Sequence, residues 1–164
     1  MKALSIAALA AVLAIAFSGA ASAQAQRGQP QAHGPGGLIA RSPDLQPIPS
    51  RIEHGVVSVR NTGSAASAAS LATVNCHLPG QRGGCPEIPA AAIAPYVNAA
   101  YPNRVVVSIP AIQPGHVHNH NLSFWDDVDW PSGSYVFDFV VDADAANAES
   151  NEGNNTGSHT WVVP

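Results

Sequence analysis

The sequence predicts an all-β domain, an antiparallel β-sandwich of about seven strands. Alternating or β-branched apolar runs recur along the chain, and they end at turn signals such as Asn61-Thr62-Gly63, Pro79-Gly80 and Pro114-Gly115. Helical signals are nearly absent, because the one alanine-rich run, within residues 86–102, is interrupted by prolines that prevent a longer helix. Short strands separated by regular turns are typical of two packed antiparallel sheets.

The elements follow from these runs in chain order. The run over residues 52–60 is β-branched and ends at Asn61-Thr62-Gly63. The run over residues 71–78 alternates and stops at Pro79-Gly80, and the run over residues 104–109 stops at Pro110. Residues 86–102 are predicted to be a long crossing loop with one short helical turn. We expect strands near residues 44–48, 52–60, 71–78, 104–109, 116–125 and 134–141, and a final strand near Thr160.

The first residues predict a signal peptide, residues 1–23. Lys2 precedes a small and apolar run over residues 3–17, and Ala21-Ser22-Ala23 fits the cleavage pattern. The run is too short and too rich in alanine for a membrane span. We therefore expect an exported protein, periplasmic or secreted, with a flexible Gln/Gly/Pro-rich leader over residues 24–42 and one domain over residues 43–164.

The charge balance excludes two classes of partner. Removal of the signal peptide takes away the only lysine and leaves six arginines against eleven acidic residues. Nucleic-acid binding needs a basic face, and binding to an anionic lipid surface needs clustered Lys and Arg. We therefore expect neither nucleic acid nor a membrane as partner.

The two cysteines, Cys76 and Cys85, are separated by eight residues rich in Gly and Pro. Their spacing matches neither the C-x-x-C redox motif nor a zinc knuckle. In an exported protein such an even pair predicts a local disulfide.

Five short motifs follow one another in an informative order: Pro43-Asp44-Leu45, Asn61-Thr62-Gly63 after a strand, Pro114-Gly115, Gly133-Ser134-Tyr135, and the run VDADAANAESNEGNN over residues 141–155. Together they resemble the CARDB family, the cell-adhesion-related immunoglobulin-like domain of bacterial secreted and surface proteins. The long segment over residues 76–102 and the histidine-rich strand depart from the family pattern. The resemblance implies a seven-stranded immunoglobulin/fibronectin-III-like sandwich with a non-enzymatic, adhesion-like interaction role.

Three histidines, His116, His118 and His120, alternate and would share one face of an extended strand, about 6 to 7 Å apart at Cα. Imidazoles are good ligands for Zn or Cu, so a metal site is one interpretation. The other is a polar strand end without metal. Leu122 and Phe124 have the same parity, so an unbroken strand directs the histidines toward the core unless a bulge changes the phase.

The acidic run before the last strand offers carboxylate and amide oxygens, which Ca²⁺ prefers. Its spacing is not that of an EF-hand loop. The favoured interpretation is that these side chains bond to the backbone of the turn, because Asp and Asn readily do so. The candidate calcium ligands are Asp142, Asp144, Asn147, Glu149 and Glu152.

A second acidic group, Asp126, Asp127 and Asp129, is framed by Trp125 and Trp130. Carboxylates so close on one loop do not form the opposed pair that glycosidases use. No nucleophile elbow, phosphate loop or H-E-x-x-H motif is present. The sequence therefore predicts a non-enzymatic module without a required cofactor, which binds a protein or a cell-envelope polymer. The alternative is a periplasmic metal-binding protein.

Overall fold

The computed structural model describes residues 40–164. The predicted signal peptide and residues 24–39 of the predicted leader lie outside the described residues. Seven strands follow one another in the described part, as the sequence predicts. They are β1 Leu45–Pro47, β2 Val56–Asn61, β3 Ser70–His77, β4 Val105–Ile109, β5 Val117–Asn121, β6 Gly133–Val140 and β7 Thr156–Val163.

The strands form two antiparallel sheets. One has the order β1-β2-β5 and the other the order β4-β3-β6-β7. Tyr135, Phe137 and Phe139 of β6 are buried, while the residues between them are half-buried on the opposite face. This period-two burial is what an alternating sequence produces when one face of a sheet covers a core. The predicted seven-stranded antiparallel sandwich is confirmed.

The predicted strand over residues 52–60 begins later in the structure. Pro49–His54 form a 3-10 helix that buries Ile52, and β2 starts only after Gly55. Gly55 has a φ of 67°, and a Cβ added there would lie 2.4 Å from Cγ of Trp125. Only glycine accommodates both the left-handed backbone and the close indole.

The predicted strand over residues 116–125 is also shorter, because β5 ends at Asn121 and Trp125–Asp127 form a 3-10 helix. The crossing segment contains α1 (Ala90–Ile93) and a 3-10 turn at Ala94–Tyr96, as its predicted short helical turn requires. Tyr96 fixes this segment to the chain after β5, because its hydroxyl accepts a hydrogen bond from Ser123 N (2.9 Å). No helix within residues 40–164 is long and apolar enough to cross a membrane.

The predicted disulfide between Cys76 and Cys85 is present. It joins the end of β3 to the start of the crossing segment, across a Gly-rich turn in which Leu78 N donates to Gly83 O (3.0 Å). Both cysteines pack against the core as partly buried residues. The disulfide therefore anchors the start of a segment whose Ile88, Ile93 and Tyr96 pack against the core.

Candidate functional site

Three of the candidate calcium ligands are hydrogen-bonded within the fold. The Asp142 carboxylate accepts from the backbone N (3.0 Å) and the side-chain Nδ2 (2.9 Å) of Asn147. Asn147 Oδ1 accepts from Ala68 N (2.7 Å), and Asp144 Oδ1 accepts from Leu71 N (2.9 Å). Asn147 and Asp144 therefore fasten the turn to the start of β3 and to the segment before it, while Asp142 holds Asn147 in place. This is the backbone-bonding role favoured by the sequence.

The two glutamates of the turn are arranged differently. Glu149 reaches the first strand, where its Oε2 accepts from Leu45 N, and its Oε1 lies 3.4 Å from Asn155 Nδ2. Glu152 Oε1 accepts from Glu149 N (2.9 Å). Burial raises the pKa of the Glu149 carboxyl, partly offset by the Leu45 N–H, which favours the charged form. The carboxylates of Asp142, Glu152 and Asp44 raise that pKa further.

Asn61, the first residue of the N-x-G motif, is fully buried. Its Nδ2 donates to Ala65 O and Ile112 O, both at 2.8 Å. Its Oδ1 accepts from Asp44 N (3.1 Å) and Gly63 N (2.9 Å). All four hydrogen-bonding positions of the amide are used. One side chain thus joins the chain before β1, the turn after β2 and the segment after β4.

Gly63 completes this turn because the chain before β1 passes directly over it. A Cβ added at Gly63 would lie 2.4 Å from Ser42 O and 2.6 Å from Asp44 N, which are backbone atoms that cannot move aside. Ser42, at the end of the predicted leader, accepts from Ser64 N (2.9 Å) and Ala65 N (3.2 Å). The N-x-G motif therefore encodes a close backbone approach in addition to a turn.

Three motifs that are far apart in sequence meet here. Asn154 Nδ2 donates to Asp44 Oδ1 (2.8 Å), and Ser150 N donates to Pro43 O (2.9 Å). We name this set the signature cluster. Its members are Asp44, Leu45, Asn61, Glu149, Glu152, Asn154 and Asn155. The sequence assigned Asp44 and Asn61 only to the family pattern, and Asn154 and Asn155 to that pattern and to the backbone of the turn. Their acidic and amide composition was a signal for a common site.

The structure places the three alternating histidines in two different environments. His118 and His120 on β5 pair with Val59 and Val57, which are fully buried, so both imidazoles lie on the core-facing side and are half-buried. His116 precedes β5 and is exposed. The predicted coreward phase is confirmed for the two strand residues.

The environment of the two half-buried histidines favours the neutral imidazole. Burial lowers the pKa of His118, and burial with the nearby His118 charge lowers the pKa of His120. His118 Nε2 is buried without a hydrogen-bond partner, and the ring of His120 meets Tyr96 edge-on at 6.0 Å. Within residues 40–164, no group of three or more His, Cys, Asp or Glu side chains is placed to hold a metal ion.

The tryptophans beside the second acidic group pack inward. Trp125 lies 4.7 Å from Trp130 and 5.4 Å from Trp161, measured between ring centroids. The adjacent Asp126 and Asp127 are exposed. The aromatic rings therefore close one end of the core, and the carboxylates beside them face solvent.

The last strand, β7, is a sheet edge that sequence reasoning did not single out. It pairs with β6 over eight residues and lies at the end of the sheet order. The helical turn Pro49–His54 covers its first half, where Gly157 contacts Pro49 and His159 Nε2 lies 2.6 Å from Glu53 Oε1. In the second half, Val162 is 65% exposed. This half offers an apolar side chain beside an open backbone edge.

Comparison with known proteins supports the resemblance inferred from the motifs. The CARDB family model matches residues 83–159, from the crossing segment into β7, and the resemblance to this family is thereby confirmed. Among solved structures, the chain is similar to a crystal structure of the CARDB domain of a Pyrococcus furiosus protein, described as a complex with di-metal ions. The identity is 16%, the TM-score is 0.38, and the match covers 76% of this chain and 96% of that chain. No curated protein matches the chain.

Proposed function

Because residues 83–159 match the adhesion-related CARDB family, we propose that the protein is an exported, non-enzymatic binding module. Its partner is a protein or a cell-envelope polymer, and it is bound at the edge of the four-stranded sheet through β7. The observation that supports this proposal is the open edge of β7 with Val162 exposed on it. An extended segment added to such an edge gains main-chain hydrogen bonds, while neighbouring side chains provide specificity.

The four sheet edges differ in how well they are protected against a further strand. β1 has three residues and contains Pro47, and β4 and β5 have five residues each. β7 has eight residues, with no proline and no Asp, Glu, Lys or Arg within it. Edge strands that must stay unpaired are usually short or carry charges and prolines. The helical turn Pro49–His54 covers the first half of β7, but the second half lacks these devices, which favours that half as the binding edge.

The outward face of β7 is suited to a partner of low charge. Its outward side chains are exposed and uncharged: Thr156, Ser158, Thr160 and Val162. Val162 pairs across the strands with Ser134, and Thr160 pairs with Val136. An uncharged strand with an adjacent hydroxyl row is compatible with an extended peptide or with a glycan chain, and the experiment distinguishes the two.

The test uses one substitution on the edge and a matched control. Val162→Lys places a charge on β7, and Val97→Lys places the same charge on a valine of the crossing segment that is 67% exposed. Each purified protein is immobilised and incubated separately with periplasmic extract and with purified peptidoglycan from the producing organism. We expect wild type and Val97→Lys to retain the same species, and Val162→Lys to bind it at least tenfold more weakly.

Retention by all three proteins alike would place binding away from β7. Absence of any saturable binding in both fractions would contradict the binding role itself. Loss of binding in both lysine variants would show that added charge, and not the edge, controls retention.

A periplasmic metal-binding role is a second candidate, and one observation favours it. His118 Nε2 is buried without a partner next to His120, so a soft or borderline cation would supply a ligand bond that the fold leaves unmade. His116 would have to turn inward to join them. Calorimetric titration with Zn²⁺ and Cu²⁺ tests this role, and a Kd weaker than about 10 µM in wild type would contradict it.

A further inference from the structure

Two buried oxygen atoms in the signature cluster have no hydrogen-bond donor. They are Oδ1 of Asn154 and Oδ1 of Asn155, on adjacent residues immediately before β7. Asn155 is only 9% exposed, and Asn154 is half-buried. A buried carbonyl oxygen without a donor has lost its hydration without compensation, so two of them on neighbouring residues favour a bound positive group.

Both amides are directed at carboxylates. Asn154 Nδ2 lies 2.8 Å from Asp44 Oδ1, and Asn155 Nδ2 lies 3.4 Å from Glu149 Oε1. Asp44 and Glu149 are themselves brought together because Leu45 N donates to the Glu149 carboxylate. The two asparagines and the two carboxylates therefore belong to one region, assembled from the start of the domain and its last turn.

The chemistry of these donors selects a hard cation. All four groups offer oxygen, and none offers nitrogen or sulfur, so Zn²⁺ and Cu²⁺ are poor candidates. Ca²⁺ accepts six to eight oxygens from carboxylates, amides, carbonyls and water in irregular geometry. Mg²⁺ requires near-ideal octahedral geometry, which adjacent side chains on a turn do not readily provide.

We propose that Ca²⁺ binds at the signature cluster, with the carboxylates of Asp44 and Glu149 and the amide oxygens of Asn154 and Asn155 as its protein ligands. Glu152, whose carboxylate bonds to Glu149 N, lies beside them and adds negative charge. This set differs from the one that the sequence suggested. Of that earlier set only Glu149 is a proposed ligand, because its carboxylate lies beside Asn155 and Leu45. Asp142 bonds to Asn147 instead, and the side chains of Asp144 and Asn147 accept from Leu71 N and Ala68 N.

Binding would connect the two ends of the domain. The ion joins Asp44, which precedes β1, to residues of the last turn, and it offsets the mutual repulsion of Glu149, Glu152 and Asp44. A site with two carboxylate ligands near the surface corresponds to the weaker calcium sites, with a Kd of about 10⁻⁵ to 10⁻³ M. Such an affinity suits the millimolar calcium found outside cells.

The test titrates the chain without its signal peptide with CaCl2 and, separately, with MgCl2, by calorimetry and by thermal unfolding. We expect one saturable Ca²⁺ site and, at 10 mM CaCl2, a rise in Tm of at least about 5 °C, with a much smaller response to MgCl2. Glu149→Gln should weaken the affinity for Ca²⁺ at least tenfold. Its amide oxygen still accepts from Leu45 N, so the local hydrogen bond is retained.

Asp144→Asn is the matched control, because it removes one charge from the same turn at a residue that is not a proposed ligand. It should change the Ca²⁺ affinity less than threefold. Asn154→Ala provides a second ligand variant at a half-buried position, and it should also weaken binding at least tenfold. The proposal is overturned if wild type shows no Ca²⁺ response up to 10 mM, if Mg²⁺ gives an equal response, or if Asp144→Asn weakens binding as much as Glu149→Gln.

Discussion

Asn61→Ala is the substitution that tests the architecture most directly. The change removes a fully buried amide that makes four hydrogen bonds. Ile112 O keeps a second donor, Ser67 N at 3.0 Å, so it does not become unpaired. Three backbone groups lose the side-chain partner that the structure gives them: Asp44 N, Gly63 N and Ala65 O.

The magnitude follows from these three groups. Each unpaired buried polar group costs about 1 to 3 kcal/mol, and the three residues are half-buried, so water can reach part of this region. A value near the lower limit for each, together with the small cavity left by the amide, gives a loss of about 3 to 5 kcal/mol. That is a large share of the stability of about 5 to 15 kcal/mol expected for a single domain.

The assay is urea unfolding at pH 7 with the disulfide intact, followed by tryptophan fluorescence. Asn98→Ala is the control, because Asn98 Oδ1 accepts one exposed hydrogen bond, from Ala100 N at 2.9 Å. We expect the control to lose less than about 1 kcal/mol. Asn61→Asp should destabilise the fold at least as much as Asn61→Ala, because it keeps both accepted bonds but sets a buried carboxylate oxygen against the carbonyl oxygens of Ala65 and Ile112. A loss below 1 kcal/mol for Asn61→Ala would refute the reasoning that this side chain joins the three segments.

Three further predictions concern pH, the disulfide and export. Because the pKa values of His118 and His120 are lowered in the folded protein, the unfolded chain binds more protons than the folded protein below about pH 6.5. The free energy of unfolding should therefore fall as the pH drops below that value. Urea unfolding at pH 7.5 and 5.5 should show a smaller fall in a His118→Gln/His120→Gln variant than in wild type. Reduction of the bond between Cys76 and Cys85 should lower the free energy of unfolding by about 2 to 3 kcal/mol in parallel urea titrations, and an unchanged midpoint would show that the crossing segment is held without it. Mass spectrometry of protein recovered from the periplasm or the medium should give a chain that begins after Ala23, and recovery of only the uncleaved chain from inside the cell would contradict the signal peptide.

The sequence determined the elements that depend on local chemistry. The alternation in Tyr135, Phe137 and Phe139 predicted β6 and its buried face, because a strand reverses its side-chain direction at each residue. The spacing of the two cysteines matched neither a redox motif nor a zinc knuckle and so predicted the disulfide. The same local reasoning placed the start of β2 too early, because the apolar Ile52 fits a strand and a 3-10 helix equally well. Only the indole of Trp125 against Gly55, a contact distant in sequence, shows where the turn must lie.

The chemistry of the site was likewise predicted in part by the sequence and decided in part by the tertiary structure. The composition of the last turn predicted a set of carboxylates and amides. It also predicted their main role, which is to bond to the backbone, because Asp and Asn side chains do so within a few residues of chain. Composition did not show which of them face one another. The meeting of Asp44 with Asn154, 110 residues further along the chain, depends on the packing of two sheets. Sequence therefore determined which groups are available, and only the tertiary structure made Asp44, Glu149, Asn154 and Asn155 neighbours, because distances across a sandwich are set by its core and not by position along the chain.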